Sequence, residues 1–152
     1  MINKNEIEKL CKSALTETQF LVEIKINPAN DIYIAIDDFN GLNIEECKRI
    51  SRFIEENLNR DKEDFSIELG SPGLSNPFKV TEQYQKSLNK EIEVVLKTGE
   101  KISGILTSIR EDEILVTYSY FAKMANKKQQ ISEISKIKFK DIKTTKSVIS
   151  FK

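Results

Sequence analysis

The sequence predicts an α+β chain of two small units, and three observations point to it. Two helical patterns and three alternating strand patterns interleave before residue 70. Two prolines and two glycines then fall within positions 70–77, and from about residue 92 onward only strand patterns recur. At 152 residues, length alone allows one domain or two, and the punctuation decides for two, residues 1–77 and 78–152. Units of this size bury only about 60% of their unfolded surface, which is marginal but feasible without staples.

In the first unit, Ile7, Leu10, Cys11, Ala14 and Leu15 recur at spacings of three and four with charged residues between, the pattern of an amphipathic helix. Phe20, Val22, Ile24 and Ile26 alternate, Pro28 to Asp31 reads as a turn, and Ile32, Ile34 and Ile36 alternate again, so a hairpin is expected. Asp37 to Gly41 breaks the pattern. Asn43 with Glu46 has the spacing of a helix N-cap box, and Ile44, Cys47, Ile50, Ile54 and Leu58 make the expected buried stripe of the second helix. Lys48, Arg49 and Arg52 fall on its solvated face, and 60–64 is an exposed connection. Phe65, Ile67 and Leu69 then share one face of a third strand, which should return beside the second by a right-handed β-α-β crossover. The resulting α-β-β-α-β order, a small sheet covered by helices, is close to that of KH-type RNA modules.

Ser71-Pro72-Gly73 predicts a type II turn, since proline presets φ at the second position and glycine supplies a positive φ at the third. Asn76-Pro77 is a second break. The stretch 65–78 therefore reads as a stiff connector, with a recognition role as its alternative. Beyond it, 81–88 fits a short helix capped by Thr81. Strands follow at 92–96, 101–109, 114–118, 131–139 and 147–151, with a polar loop at 121–130. Five short strands suit a small closed barrel of SH3 or Sm type, in which Gly104 allows a sharply bent strand.

The chain contains no histidine, so the commonest general base and metal ligand is missing. Asp37 and Asp38 resemble half of a carboxylate metal site, but neighbours at a strand end point apart and fit a solvated turn. No glycine-rich phosphate loop is present. The reading is a non-enzymatic protein with no cofactor, metal or small-molecule substrate. Cys11 and Cys47 each lie in an apolar helical pattern and read as thiols in a reducing compartment. With no signal-peptide or membrane-spanning pattern, a cytoplasmic protein is expected.

The net charge is zero but uneven: residues 1–80 hold 10 Lys and Arg against 15 Asp and Glu, and 81–152 hold 14 against 9. An acidic unit thus precedes a basic one. Lys123, Lys127 and Lys128 lie beside Tyr118, Tyr120 and Phe121, a combination that neutralises phosphates and stacks on bases. The alternative for such lysines is the solvated outer face of a barrel strand. Binding to RNA in general, or to a basic protein through the acidic unit, are the functions this composition leaves open.

The residues in order resemble one family. Ile32-Tyr33-Ile34-Ala35-Ile36-Asp37, the run from Gly41 to Arg52 with its Cys47 and Ser51-Arg52, and above all Phe65-Ser66-Ile67-Glu68-Leu69-Gly70-Ser71-Pro72-Gly73-Leu74 are similar to the ribosome maturation factor RimP family in its Bacteroidetes form. Asn76-Pro77-Phe78, Gln83-Tyr84 and Gly104-Ile105-Leu106 continue the likeness over essentially the full length. The resemblance implies a monomeric assembly factor of the small ribosomal subunit. Such a factor aids maturation of 16S rRNA, and its barrel contacts ribosomal protein number twelve. It departs at Gly70, where many members have serine, and at Asn76, where many have arginine; the neighbouring candidate for that arginine's role is Lys79. Subunit or RNA contacts are therefore expected at Lys79, Tyr120, Lys123, Lys127 and Lys128, and a domain junction at Ser71, Pro72, Gly73, Asn76 and Pro77.

Overall fold

The computed structural model describes residues 2–58, 64–73, 76–124 and 127–148, with backbone alone at 121–124. The chain divides into two compact units, Met1–Pro72 and Gly73–Lys152.

The first unit follows the expected α-β-β-α-β order: α1 (Lys4–Ala14), β1 (Gln19–Ile26), β2 (Asp31–Asp38), α2 (Ile44–Asn57) and β3 (Ser66–Gly70). Asn3 starts α1 by accepting the Asn5 N–H at 2.7 Å, and Asn43 starts α2 by accepting that of Glu46 at 2.8 Å. β1 and β2 form the hairpin. In its turn the Asn27 side-chain oxygen accepts from the Ala29 and Asp31 N–H groups, both at 2.9 Å, while Asn30 takes φ 61°. β3 runs parallel to β2 with Ile34 opposite Leu69, so the sheet order is β1-β2-β3. Ile32, Ile34 and Ile36 of β2 are buried beneath Ile7 and Cys11 of α1 and Ile50 and Ile54 of α2, with Phe65 closing the cluster. Each such isoleucine contributes about 1.5–3 kcal/mol through the apolar area it withdraws from water. Burial also pushes the Cys11 thiol up to about 11, and both cysteines are free.

Two expectations change here. β2 runs on through Asp37 and Asp38, opposite Phe20 and Gln19, and Asp38 then starts the turn over Phe39 and Asn40 that the Gly41 N–H closes on the Asp38 carbonyl at 3.0 Å. Ile44 is not in the buried stripe: it is 72% exposed, because the three-stranded sheet is covered from Cys47 onward and does not reach the first turn of α2.

The second unit comprises α3 (Thr81–Lys86), β4 (Glu91–Leu96), β5 (Lys101–Ile109), β6 (Glu113–Met124), β7 (Lys127–Lys138), a 3-10 turn (Phe139–Asp141) and β8 (Ile142–Ser147). The sheet is antiparallel throughout, in the order β7-β6-β5-β4-β8. Among the described residues no ladder joins β7 to β8, so the sheet is open rather than the closed barrel expected. Its core is Ile92, Val94, Leu106, Ile114, Val116 and Ile137. Phe78, Tyr84 and Phe139 pack edge to face beside it at 5.1 and 5.3 Å, and the buried Tyr84 hydroxyl meets Thr145 Oγ1 at 2.7 Å.

Local details also differ. α3 is capped not by Thr81 but from within: Gln83 Oε1 accepts the N–H groups of Lys79 and Val80. The expected loop at 121–130 is strand, since β6 runs on to Met124 and β7 begins at Lys127. The final strand lies earlier than 147–151, at Ile142–Ser147, because Ile142 and Thr145 pack inward; 149–152 fall outside the described residues.

Gly104 matters for a different reason from bending. A Cβ there would stand 2.6 Å from the Thr117 carbonyl oxygen and 2.9 Å from Val116 Cγ1, so β5 and β6 approach as only glycine permits. Gly104→Ala should lower stability by about 1–3 kcal/mol in urea unfolding. Gly70→Ala, where the new Cβ meets nothing within 4 Å, should stay within about 0.5 kcal/mol of the parent. Equal midpoints for the two variants would refute the close-approach account.

Candidate functional site

The first candidate surface is a two-stranded arm. The β5–β6 ladder reaches Thr117, opposite Ile105, and from Tyr118 onward the described pairing of β6 is to β7 alone. An isolated ribbon is marginal in water, so its cross-strand pairs must hold it. Glu133 lies opposite Tyr118 and accepts hydrogen bonds from the hydroxyls of Tyr118, at 2.7 Å, and Tyr120, at 3.0 Å. The two rings stack at 6.3 Å, and on the other face Ser119 and Ser132 meet at 3.0 Å. Donation from the tyrosines holds the Glu133 carboxyl below its ordinary range; that carboxylate in turn pushes both tyrosines up.

The structure brings some of the expected contact residues together and separates others. Lys127 and Lys128 are exposed in the first two positions of β7. Strand alternation places Lys127 on the face of Tyr118 and Tyr120, and Lys128 on the opposite one, where Ile134 is 61% exposed. Tyr120 is 40% exposed and tied to Glu133. The backbone of Lys123 pairs with Lys128, but its side chain lies outside the described residues. Lys79 stands before α3, and among the described residues no contact links it to the arm.

Of the junction residues, Ser71 and Pro72 end the first unit, and Gly73, Asn76 and Pro77 begin the second. The type II turn is not formed, for Gly73 does not take a positive φ. Instead the Asn76 N–H donates to the Gly73 carbonyl at 3.0 Å, and the Asn76 side chain lies over Gly73, 3.0 Å from where a Cβ would be.

A second surface escaped the sequence reading. Between α2 and β3 lies an open groove of about 590 Å³, walled by Ile44, Lys48 and Arg52 on the helix and by Ile67, Leu69 and Gly70 on the strand. Its signal was the spacing 44, 47, 48, 51, 52, 55, a second stripe of α2 beside the buried one. On another flank of α2, outside the groove lining, Arg49 bridges to Glu46 at 2.8 Å, and Gln19 donates to the same carboxylate at 2.8 Å, which holds the Glu46 carboxyl below its usual range. Among the described residues no group of three or more histidine, cysteine or carboxylate side chains could hold a metal, and no helix is long and apolar enough to cross a membrane.

Two α+β units, one with a groove beside an edge strand and one with a projecting β-hairpin, define a small protein whose features are contact surfaces. The RimP N-terminal domain family matches residues 7–75. The chain is 37% identical over 115 residues to the ribosome maturation factor RimP of Porphyromonas gingivalis, covering 75% of this chain and 76% of that one. It is 33% identical over 121 residues to that of Flavobacterium psychrophilum, covering 78% of each. With that of Cytophaga hutchinsonii it shares 28% over 145 residues, 88% and 87% of the two chains. This chain belongs to the RimP family, which is not a known enzyme family.

The Glu133 pair gives a direct check on the arm. In Glu133→Gln, absorbance titration should show two tyrosines ionising at lower pH than in the parent, since the charge that raises them is gone. Superimposable titration curves would mean the cluster does not form in solution.

Proposed function

We propose that this protein is a cytoplasmic ribosome maturation factor that binds the free, immature small ribosomal subunit and assists late assembly and 16S rRNA maturation. The observation that supports this reading is identity of 37% over three quarters of both chains with a protein named ribosome maturation factor RimP. Its partners on this reading are 16S rRNA and ribosomal protein number twelve, it acts as a monomer, and it performs no catalysis. The two parts of the factor are Met1–Pro72 and Gly73–Lys152, the second built on an open five-stranded antiparallel sheet. The factor works by differential binding: it favours one arrangement of the subunit because it binds that arrangement more tightly.

The exposed Lys127 and Lys128, with Lys123 opposite, support a phosphate-contacting role for the arm, and Tyr120 and Lys79 are the further candidates. In co-sedimentation with free small subunits the full chain should pellet at low salt and dissociate as salt rises. Changing Lys123, Lys127 and Lys128 together to alanine should weaken association at least severalfold with an unaltered thermal transition. Failure of the parent protein to pellet, beside a related factor that does, would overturn the reading. Equal binding to unrelated RNA would turn it into a general RNA-binding module, and binding to a basic protein without RNA into an adaptor.

A further inference from the structure

We propose that the α2–β3 groove of the first unit is a binding site for single-stranded RNA, with a backbone phosphate on Lys48 and Arg52 and a base against Ile44, Ile67 and Leu69. This deepens the reading of the chain as an assembly factor and rests on it for the source of the RNA.

Three observations converge on the groove. Ile44 is 72% exposed in the first turn of α2, and Ile67 and Leu69 present a half-buried apolar floor one strand residue apart. Lys48 and Arg52 stand on the helix wall one turn apart, about 6 Å along its axis. Both are exposed, and neither has an ion pair among the described residues. Arg49, by contrast, is committed to Glu46, and Glu55, a carboxylate further along the wall, has an interaction partner. Lys48 and Arg52 thus line the groove without a contact ion pair, with Glu55 on the same wall and Glu45 and Glu56 on the adjoining flank.

The third observation is Gly70. It has no positive φ, and a Cβ there meets nothing within 4 Å, so neither backbone conformation nor packing requires glycine at this strand position. Its backbone lines the strand side of the groove, while strand alternation turns a Cβ at position 70 to the face of Ser66 and Glu68, away from Ile67 and Leu69.

The groove's volume of about 590 Å³ lies within the range of ligand clefts, about 300–1,000 Å³. An apolar floor below unpaired cations suits an unstacked base with its phosphate, the combination single strands offer and duplexes hide. A peptide adding to the β3 edge would use the same floor. Two unpaired cations on the facing wall favour the polyanion.

The test uses the full chain and a fluorescein-labelled single-stranded RNA decamer of mixed sequence, followed by anisotropy at low salt. The parent should bind the decamer, and bind a duplex of the same sequence at least tenfold more weakly. Lys48→Glu with Arg52→Glu should weaken decamer binding at least tenfold, and Ile44→Ser severalfold, with unchanged thermal transitions because all three side chains are exposed. Gly70→Ala, whose Cβ faces away from Ile67 and Leu69, is the control and should leave both stability and decamer binding unchanged. A decamer bound equally by parent and groove variants overturns the site, as does equal affinity for duplex. No decamer binding by a parent that still pellets with subunits also overturns it while leaving the proposed function standing. If the groove variants lose subunit association with decamer binding intact, the groove takes a protein instead. Decamer binding at the groove without subunit association would uphold the site and overturn the assembly role.

Discussion

The first unit depends on covering one face of one strand. Ile32, Ile34 and Ile36 of β2 are at most 1% exposed, and a three-stranded sheet cannot shield its own face. Two helices do so from the same side, α1 with Ile7 and Cys11 and α2 with Ile50 and Ile54. Since α2 links two parallel strands, it must travel back along them, and at 14 residues it is about 21 Å long. β3 has 5 residues and spans about 16 Å. The helix therefore overruns the strand it packs against. Because β3 is an edge strand, one flank of α2, Ile44 included, stays outside the core and the groove opens beside it.

The second unit solves a different problem. Its core is made by β4, β5, the first half of β6 and the end of β7, drawn together where Gly104 lets β5 lie against the Thr117 carbonyl. Beyond Thr117 the two longest strands continue without a neighbour and without apolar alternation. What replaces the core there is a carboxylate shared by two tyrosine hydroxyls and a pair of serines across the ladder. Exposed hydrogen bonds of this kind contribute little each, so the arm holds its register by several weak pairs in sequence.

The helices, β1 to β3 and the core of the second sheet were legible because apolar period marks buried faces, and Ile34, Ile50, Ile92 and Val94 all lie where alternation puts them. Period says nothing about extent. Phe121 to Gln130 looked like a loop because the backbone pairing of β6 with β7 is a long-range fact that local composition does not announce. Ile44 looked buried because helical spacing cannot say where the sheet beneath ends. The same blindness hid the groove: Lys48 and Arg52 read as a solvated face, which they are, and only the fold places them across from Gly70. Glycine was ambiguous in the same way, for Gly73 was expected at positive φ and lacks it, while Gly104 answers to a carbonyl oxygen in another strand.

Charge is the level at which local and global readings part. The first half of the chain carries five more acidic than basic residues, which taken whole would repel a polyanion. Beyond a Debye length, about 8 Å at physiological salt, such a mean charge is screened, so what a phosphate meets is the few groups at the wall it touches. There, acid and base are sorted by pairing: Glu46 is spent on Arg49 and Gln19, and Lys12 and Lys25 on Glu8 and Glu23, while Lys48 and Arg52 are not. If RNA enters the groove as proposed, its affinity there rests on these two cations and the apolar floor rather than on the net charge of the unit.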